Sequence, residues 1–386
     1  MIVIDARGDL ATDVLDRIPD HRREDVVVID PAAPGPVVGF NPLHAAGSPE
    51  RAAGFVFHVL HSIYAPSWGP RTADLLRASL LTLASSRPVD GVGSGFTVCE
   101  VPELLTNPGF RRSVTGQPLP HGLAGFWRWY EALSNPERVH VIGPVLNKLR
   151  PFILSTPLRL ILGQPTGVDL AGALTHRRIV VVTLKRGLLG AEAAMLLGSL
   201  VMSSVWHAVL TRAALPPSAR RPAWLYVDEF HDIVRLPIDL ADMLAQARGL
   251  GLGLTLAHQY LNQLAPAVRS AVLSTARTQV AFQPDYADAR ELAHRFGPLS
   301  TEDLMGLGAF EIAARLCLHG TTLTPVTGRT LPLPDATTDG SQLAKNSRAR
   351  YGLPAAEIDK QLIARTTPTP TGDGRHNRMR NTASQP

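Results

Sequence analysis

The chain has 386 residues, 45% of them apolar and 18% charged, which allows a sizeable core and excludes a wholly disordered protein. At roughly 150 residues per domain this length predicts two to three domains. Net charge is +5 with a sequence pI near 9.5, an excess that permits an anionic partner without demanding one.

In chain order, short β-branched runs stopped by polar residues or glycine predict strands over Ile2–Ile4, Val26–Ile29, Ile179–Leu184, Trp224–Val227, Leu252–Leu256, Gln279–Phe282 and Glu311–Leu316. Continuous apolar runs of this length mark strands buried on both faces, as in parallel sheets. Helical stretches alternate with them, over Leu10–Ile18, Ala191–Arg212, Ile238–Arg248, Leu261–Ser274 and Ala287–Phe296. The alternation predicts an α/β sheet.

Between Ser48 and Leu174 the pattern is helical throughout, with a leucine stripe over Ala73–Ala84 and an aromatic run over Phe126–Leu133. Pro136 and Pro144 punctuate it before Val145–Leu154 resumes. The predicted domains are therefore 1–47, the first part of a sheet domain; 48–174, an all-helical insert whose aromatics belong to its core; and 175–335, the rest of the sheet. Ala336–Ala344 reads as a polar linker and Pro354–Arg365 as an amphipathic helix, together spanning 336–365. The stretch 366–386 is rich in Thr, Pro, Gly, Asn and Arg, and a tail of that composition is expected to be disordered.

The N-terminal MIVIDARGDL lacks the basic and apolar regions of a signal peptide. Ala193–Leu210 is uncharged and about as long as a membrane span, but it contains Ser199, Ser203, Ser204 and His207. It reads as a buried helix, so a cytoplasmic location is expected. Cys99 and Cys317, the only cysteines, lie far apart, which excludes a disulfide framework and a cysteine-rich zinc site.

The strongest chemical signal is Trp224-Leu-Tyr-Val-Asp228-Glu229-Phe230. An apolar strand ends there in two carboxylates, and the carboxyl ends of parallel strands are where open α/β sheets bind ligands. Such a pair can serve ATP hydrolysis, the Asp holding Mg²⁺ through water and the Glu polarising the attacking water. The plainer alternative is a strand end followed by a helix cap. The next strand ends at His258-Gln259, which suits a polar sensor reaching the same pocket. Arg248 precedes that strand, at its opposite end. It either faces a neighbouring subunit as an arginine finger or complements a helix C-terminus before Gly249.

Gly249-Leu-Gly251-Leu-Gly253 runs from helix to strand, the reverse of a phosphate cradle. His58 and His61 sit on an apolar helical stretch with no carboxylate near, so they are poor metal ligands. The motif G-x-x-x-x-G-K-[ST] occurs nowhere, and none of Lys148, Lys185, Lys345 and Lys360 follows a glycine-rich turn. Without that loop the phosphates of a nucleotide lose most of their cradle, and poor nucleotide binding is expected of these residues alone.

Taken together, these segments resemble the TraG/TraD-type coupling ATPases of conjugative type IV secretion, within the HerA/FtsK superfamily. The resemblance runs from Met1 to about Arg365. It is carried by IVIDARGDLATDVLDRIP, VVVIDPAAPGPVVGFNPL, LLRASLLTLA, FWRWYEALS, VLNKLRPFI, WLYVDEFHDI, ARGLGLGLTLAHQYLNQL, DARELAHRFGPLSTEDLMGL and RYGLPAAEIDKQL. It implies a RecA-like P-loop NTPase sheet, incomplete at the N-terminus, interrupted by an all-α domain. By that match Asp228 and Glu229 take the Walker B roles, Asp228 on Mg through water, with Gln259 the sensor and Arg248 the arginine finger. ATP and Mg are the implied cofactors. DNA, a relaxase–DNA complex and secretion-channel proteins are the implied partners. A homo-hexamer, peripheral at the inner face of the membrane, is the implied assembly. The sequence begins just after the place where the family's phosphate loop lies, which a misplaced start or a truncated gene would explain. The alternatives are a non-catalytic interaction protein, joining a ring of intact subunits, or a gene remnant.

Overall fold

The computed structural model describes residues 1–44, 47–88, 94–233 and 240–367. The tail expected from residue 366 lies outside them except for Thr366 and Thr367, and so do the first residues of the helix expected over Ile238–Arg248. The chain opens with β1 (Ile2–Asp5), α1 (Asp9–Leu15), β2 (Val26–Ile29) and β3 (Val37–Val38). Helices then follow one another: α2 (Pro49–Ile63), α3 (Pro70–Ser85), α4 (Val101–Thr106), α5 (Pro108–Thr115), α6 (Leu123–Ala132), α7 (Asn135–Ile153), α8 (Thr156–Leu162) and α9 (Leu170–Thr175). Strand–helix alternation resumes with β4 (Ile179–Thr183), α10 (Arg186–Leu189), α11 (Ala191–Leu210), β5 (Ala223–Val227), α12 (Leu240–Ala247), β6 (Leu252–Leu256) and α13 (Pro266–Thr275). A smaller part holds β7 (Gln279–Ala281), α14 (Tyr286–Ala293), α15 (Thr301–Met305), β8 (Glu311–Arg315), β9 (Cys317–Leu318), β10 (Thr321–Thr322) and β11 (Val326–Arg329). The described chain closes with α16 (Gly340–Tyr351), β12 (Gly352–Leu353) and α17 (Ala355–Thr366).

The central sheet is parallel, in the order β2–β4–β1–β5–β6. β1, β2 and β4 are buried along their whole length, as strands covered on both faces must be. One face packs on α11, where Leu197, Val201 and Val205 are wholly buried. Gly198 lets that helix approach closely, since a Cβ there would lie 2.8 Å from Ile233 Cγ2 and 3.0 Å from Leu184 Cδ1. α11 heads a segment long and apolar enough to cross a membrane, and 89% of its apolar window is buried inside the chain. Ser199 Oγ satisfies itself there by donating to the Ile233 carbonyl at 2.8 Å.

On the other face, Ala11 and Leu15 of α1 and Leu343 of α16 cover Val26, Val28, Ile179 and Val181. The outer edge of β2 is closed by Ser347, whose Oγ accepts from Val28 N–H at 2.9 Å. The opposite edge is open. Among the described residues β6 pairs with β5 alone, and the adjoining Trp224 is 50% exposed.

Three elements differ from the sequence expectation. α7 runs unbroken through Pro144 and Pro151. Each proline forfeits a helical hydrogen bond, but the capping box of Ser134 and Glu137 and the burial of Val141, Val145 and Leu149 hold the helix together. The stretch expected as a linker over Ala336–Ala344 instead starts α16 at Gly340. Asp339 caps it, accepting from Gln342 N–H at 3.0 Å, and the single buried Leu343 anchors it. The helix expected over Leu261–Ser274 starts only at Pro266, because proline suits the first turn and its predecessor Ala265 is non-helical.

Candidate functional site

The carboxyl ends of β1, β4, β5 and β6 converge on one cleft of about 560 Å³, lined in part by Ala6, Arg7, Arg186, His231, Asp232 and Gln259. β1 ends in Asp5, wholly buried. Its carboxylate accepts from the N–H groups of Arg7 and Ala11, both at 2.8 Å. That pair of bonds tightens the turn into α1 and aims Arg7 across the sheet.

β5 delivers Asp228 and Glu229. Burial, reinforced by the charges of Glu229 and Asp5, pushes the Asp228 carboxyl above its ordinary value despite the backbone N–H of Glu229. Glu229 is buried and held at φ +46°, a left-handed conformation uncommon outside glycine. Strain of this kind persists only where the surroundings over-determine it. Its Oε1 receives Arg7 Nη2 at 2.6 Å and Gln259 Nε2 at 2.6 Å. Gln259 thus reaches Glu229 from the neighbouring strand. Its own N–H is fixed by Gln263 Oε1 at 3.0 Å.

Beyond Glu229 stand three residues that sequence reasoning missed. His231 Nε2 lies 3.3 Å from Asp232 Oδ1, and Arg186 Nη1 donates to both Asp232 oxygens at 2.8 and 2.7 Å. Arg7 was missed as well. One signal for Arg7 and Arg186 was available: they lie two and three residues past a buried strand, where side chains project into a parallel sheet's cleft. The pairing of β1 between β4 and β5 is what brings them together.

Arg248 lies elsewhere. It is exposed at the turn entering β6, the opposite end of the sheet from Glu229, since Val227 pairs with Leu256 and Ala223 with Leu252. Among the described residues no ion pair or hydrogen bond engages its guanidinium. Gln259 therefore lines the cleft with Glu229 bonded to it, Asp228 precedes Glu229 at the same strand end, and Arg248 is outside.

Residues 175–305 match the family model described as the type IV secretion-system coupling protein DNA-binding domain. Among solved structures, the bacterial conjugative coupling protein TrwBdeltaN70 in its unbound form is 14% identical, with 88% of this chain and 79% of that one covered and a TM-score of 0.57. The plasmid coupling protein TrwB in complex with the ATP analogue ADPNP is 12% identical, covering 88% and 80%, with a TM-score of 0.55. VirB4 of Thermoanaerobacter pseudethanolicus is 14% identical, covering 86% and 82%, with a TM-score of 0.50. At these identities the likeness is one of fold. No curated protein matches.

Proposed function

We propose that the chain is of the TraG/TraD coupling-protein type, on the domain matched at residues 175–305, and that it is part of an ATP-driven DNA translocase of conjugative transfer. The observation that carries the reading is Glu229, buried at the carboxyl end of a parallel strand with Gln259 at 2.6 Å from the next strand, inside the matched segment.

In this reading Glu229 is the base that takes a proton from the attacking water, and Gln259 senses the phosphate while holding Glu229 in place. Asp228 suits Mg²⁺ held through water. Its burial-raised carboxyl, crowded by Glu229 and Asp5, is a site where a hydrated cation would relieve the cost of the charge. ATP and Mg, when bound, supply the phosphoryl group and neutralise its charge; the TrwB relative is known in complex with ADP and Mg²⁺. No G-x-x-x-x-G-K-[ST] occurs in the sequence, so we place the phosphate cradle in polypeptide other than these residues. The unpaired edge of β6 supports that placement.

Arg248 favours a ring. An exposed guanidinium at the far end from its own cleft serves a neighbour's site, as a finger supplied in trans does. DNA is the substrate moved, and a relaxase–DNA complex and channel proteins are the partners this role requires. Assembly at the inner face of the membrane belongs to the same proposal.

DNA-stimulated ATP hydrolysis tests it. The rate should rise with DNA, and E229Q should lower it by about 100-fold or more. If a fluorescent ATP analogue does not bind even when the polypeptide carrying the phosphate cradle is present, the motor reading fails. A non-catalytic ring partner lending Arg248 then replaces it.

A further inference from the structure

Three turns lead into β4, β5 and β6, over residues 174–178, 211–222 and 248–251. Together they carry six arginines and not one aspartate or glutamate. The parallel sheet brings these turns to one end, away from the cleft, because β4, β1, β5 and β6 lie side by side. Two of the arginines hold the turns together. Arg212, only 7% exposed, donates to the carbonyls of Arg221 at 3.0 Å, Leu250 at 3.5 Å and Leu174 at 3.5 Å. Arg220 donates to the carbonyls of Leu215 at 2.9 Å and Gly249 at 2.7 Å. Among the described residues no carboxylate pairs with either arginine, so this end of the sheet is pinned in place and left positive.

Arg177 and Arg221 do no such structural work. Both are exposed, and among the described residues neither guanidinium has a hydrogen bond or an ion pair. Arg177 also occupies a costly position. It closes α9 at φ +57°, with Arg178 N–H bonded back to the Ala173 carbonyl at 2.9 Å. Glycine is the usual residue at that place in such a helix end. A strained arginine kept there without a partner in its own chain is explained by a ligand outside it. Since β1 separates β4 from β5, the two turns stand about 10 Å apart, at about 4.8 Å per strand. That is roughly three nucleotides of a stacked strand, at about 3.4 Å each. Arg248 stands next in the row and is left to the neighbouring subunit of the reading above.

Trp224 completes the surface. It lies three residues after Arg221, near the start of β5, and is 50% exposed. Its strand partner is Gly253, where an added Cβ would come within 3.0 Å of Trp224 Cδ1, so the ring covers bare backbone of β6. Toward β2 the cations are neutralised, Arg22 by Asp25 at 2.8 Å and Arg23 by Asp20 at 2.7 Å. The free charge is thus a narrow row beside one exposed indole, which suits a nucleic-acid strand better than a flat lipid surface. We propose that Arg177 and Arg221 bind the phosphates of single-stranded DNA, with a base stacked on Trp224. The choice of DNA rests on the reading above, and the contact itself needs no ATP.

Fluorescence anisotropy of a labelled oligo-dT of about 20 nucleotides, titrated with the whole chain at several salt concentrations, tests the site. In R177Q/R221Q binding should weaken, and the slope of log K against log salt should shrink by about 1 to 2. W224A should raise Kd about 5- to 100-fold with the slope unchanged, and W224F should recover most of that loss. R329Q, at an exposed position of β11, should change neither Kd nor slope. Thermal melts separate a lost contact from a lost fold. R177Q/R221Q alters only exposed, unpartnered side chains, so it carries the test should W224A fail to fold. An unchanged slope in R177Q/R221Q, or tighter binding of duplex than of single strand by the wild type, overturns the inference and leaves the DNA reading standing. A wild-type chain that ignores DNA but sediments with phosphatidylglycerol vesicles overturns both and puts a lipid surface there instead. A chain that binds neither also overturns both.

Discussion

Asp228 shows how much a single carboxyl depends on its neighbours. Its folded pKa is raised by burial first and by the Glu229 and Asp5 charges after it, so the folded chain binds this proton more tightly than the unfolded chain does. The associated stability is therefore complete below the unfolded value, about 3.9. It is lost as pH rises from there through the raised folded value. D228N should thus melt about 1–3 °C higher than wild type at neutral pH, and the difference should shrink as pH falls toward the unfolded pKa. A melting series in pH checks it. The same residue was legible in the sequence, with Glu229 and Gln259, because each ends an apolar strand. Arg7, Arg186, His231 and Asp232 were not, because what they touch depends on which strands lie side by side.

Capping, more than apolar periodicity, decides the elements that the sequence left unclear. α16 follows a polar stretch with one buried leucine, yet Asp339 supplies the acceptor that its first turn needs. D339A should cost about 1 kcal/mol, read as a lower urea midpoint with an unchanged slope. Its N-terminus is also tied to α1, since Gly340 N–H donates to Asp16 Oδ1 at 2.9 Å. Long-range bonds of this kind leave no mark in local composition. The uninterrupted α7 makes the complementary point, for proline is a local signal that tertiary packing can override.

Across the whole molecule, the C-terminal helix is fastened to the helical block by a buried ion pair. Arg365 Nε donates to Glu100 Oε1 at 2.7 Å, with the two side chains 0% and 1% exposed. A second donor, Arg365 Nη2, reaches the Gly163 carbonyl at 2.7 Å. Removing one partner leaves a buried charge uncompensated, so R365A should destabilise the fold by about 3–5 kcal/mol, measured by denaturant unfolding. Replacing both residues by apolar ones should recover much of that loss. Sequence reading placed the amphipathic helix nearly correctly. It gave no sign that its arginine would be buried against a glutamate of the insert.

By itself the sequence determined the five strands of the parallel sheet, the long helical stretch between two of them, and the carboxylates at a strand end. Those features follow from local periodicity and from apolar runs long enough to be buried on both faces. The sequence also assigned to that sheet the strands over Gln279–Phe282 and Glu311–Leu316, which instead pair antiparallel in a separate sheet with β11. The tertiary structure alone decided the strand order, with β1 between β4 and β5. Through that order it decided that Arg7 and Gln259 converge on one oxygen of Glu229 while the other faces His231. Strand order is set by which faces and edges pack best against the rest of the chain, and that sum of distant contacts is not written in any one segment.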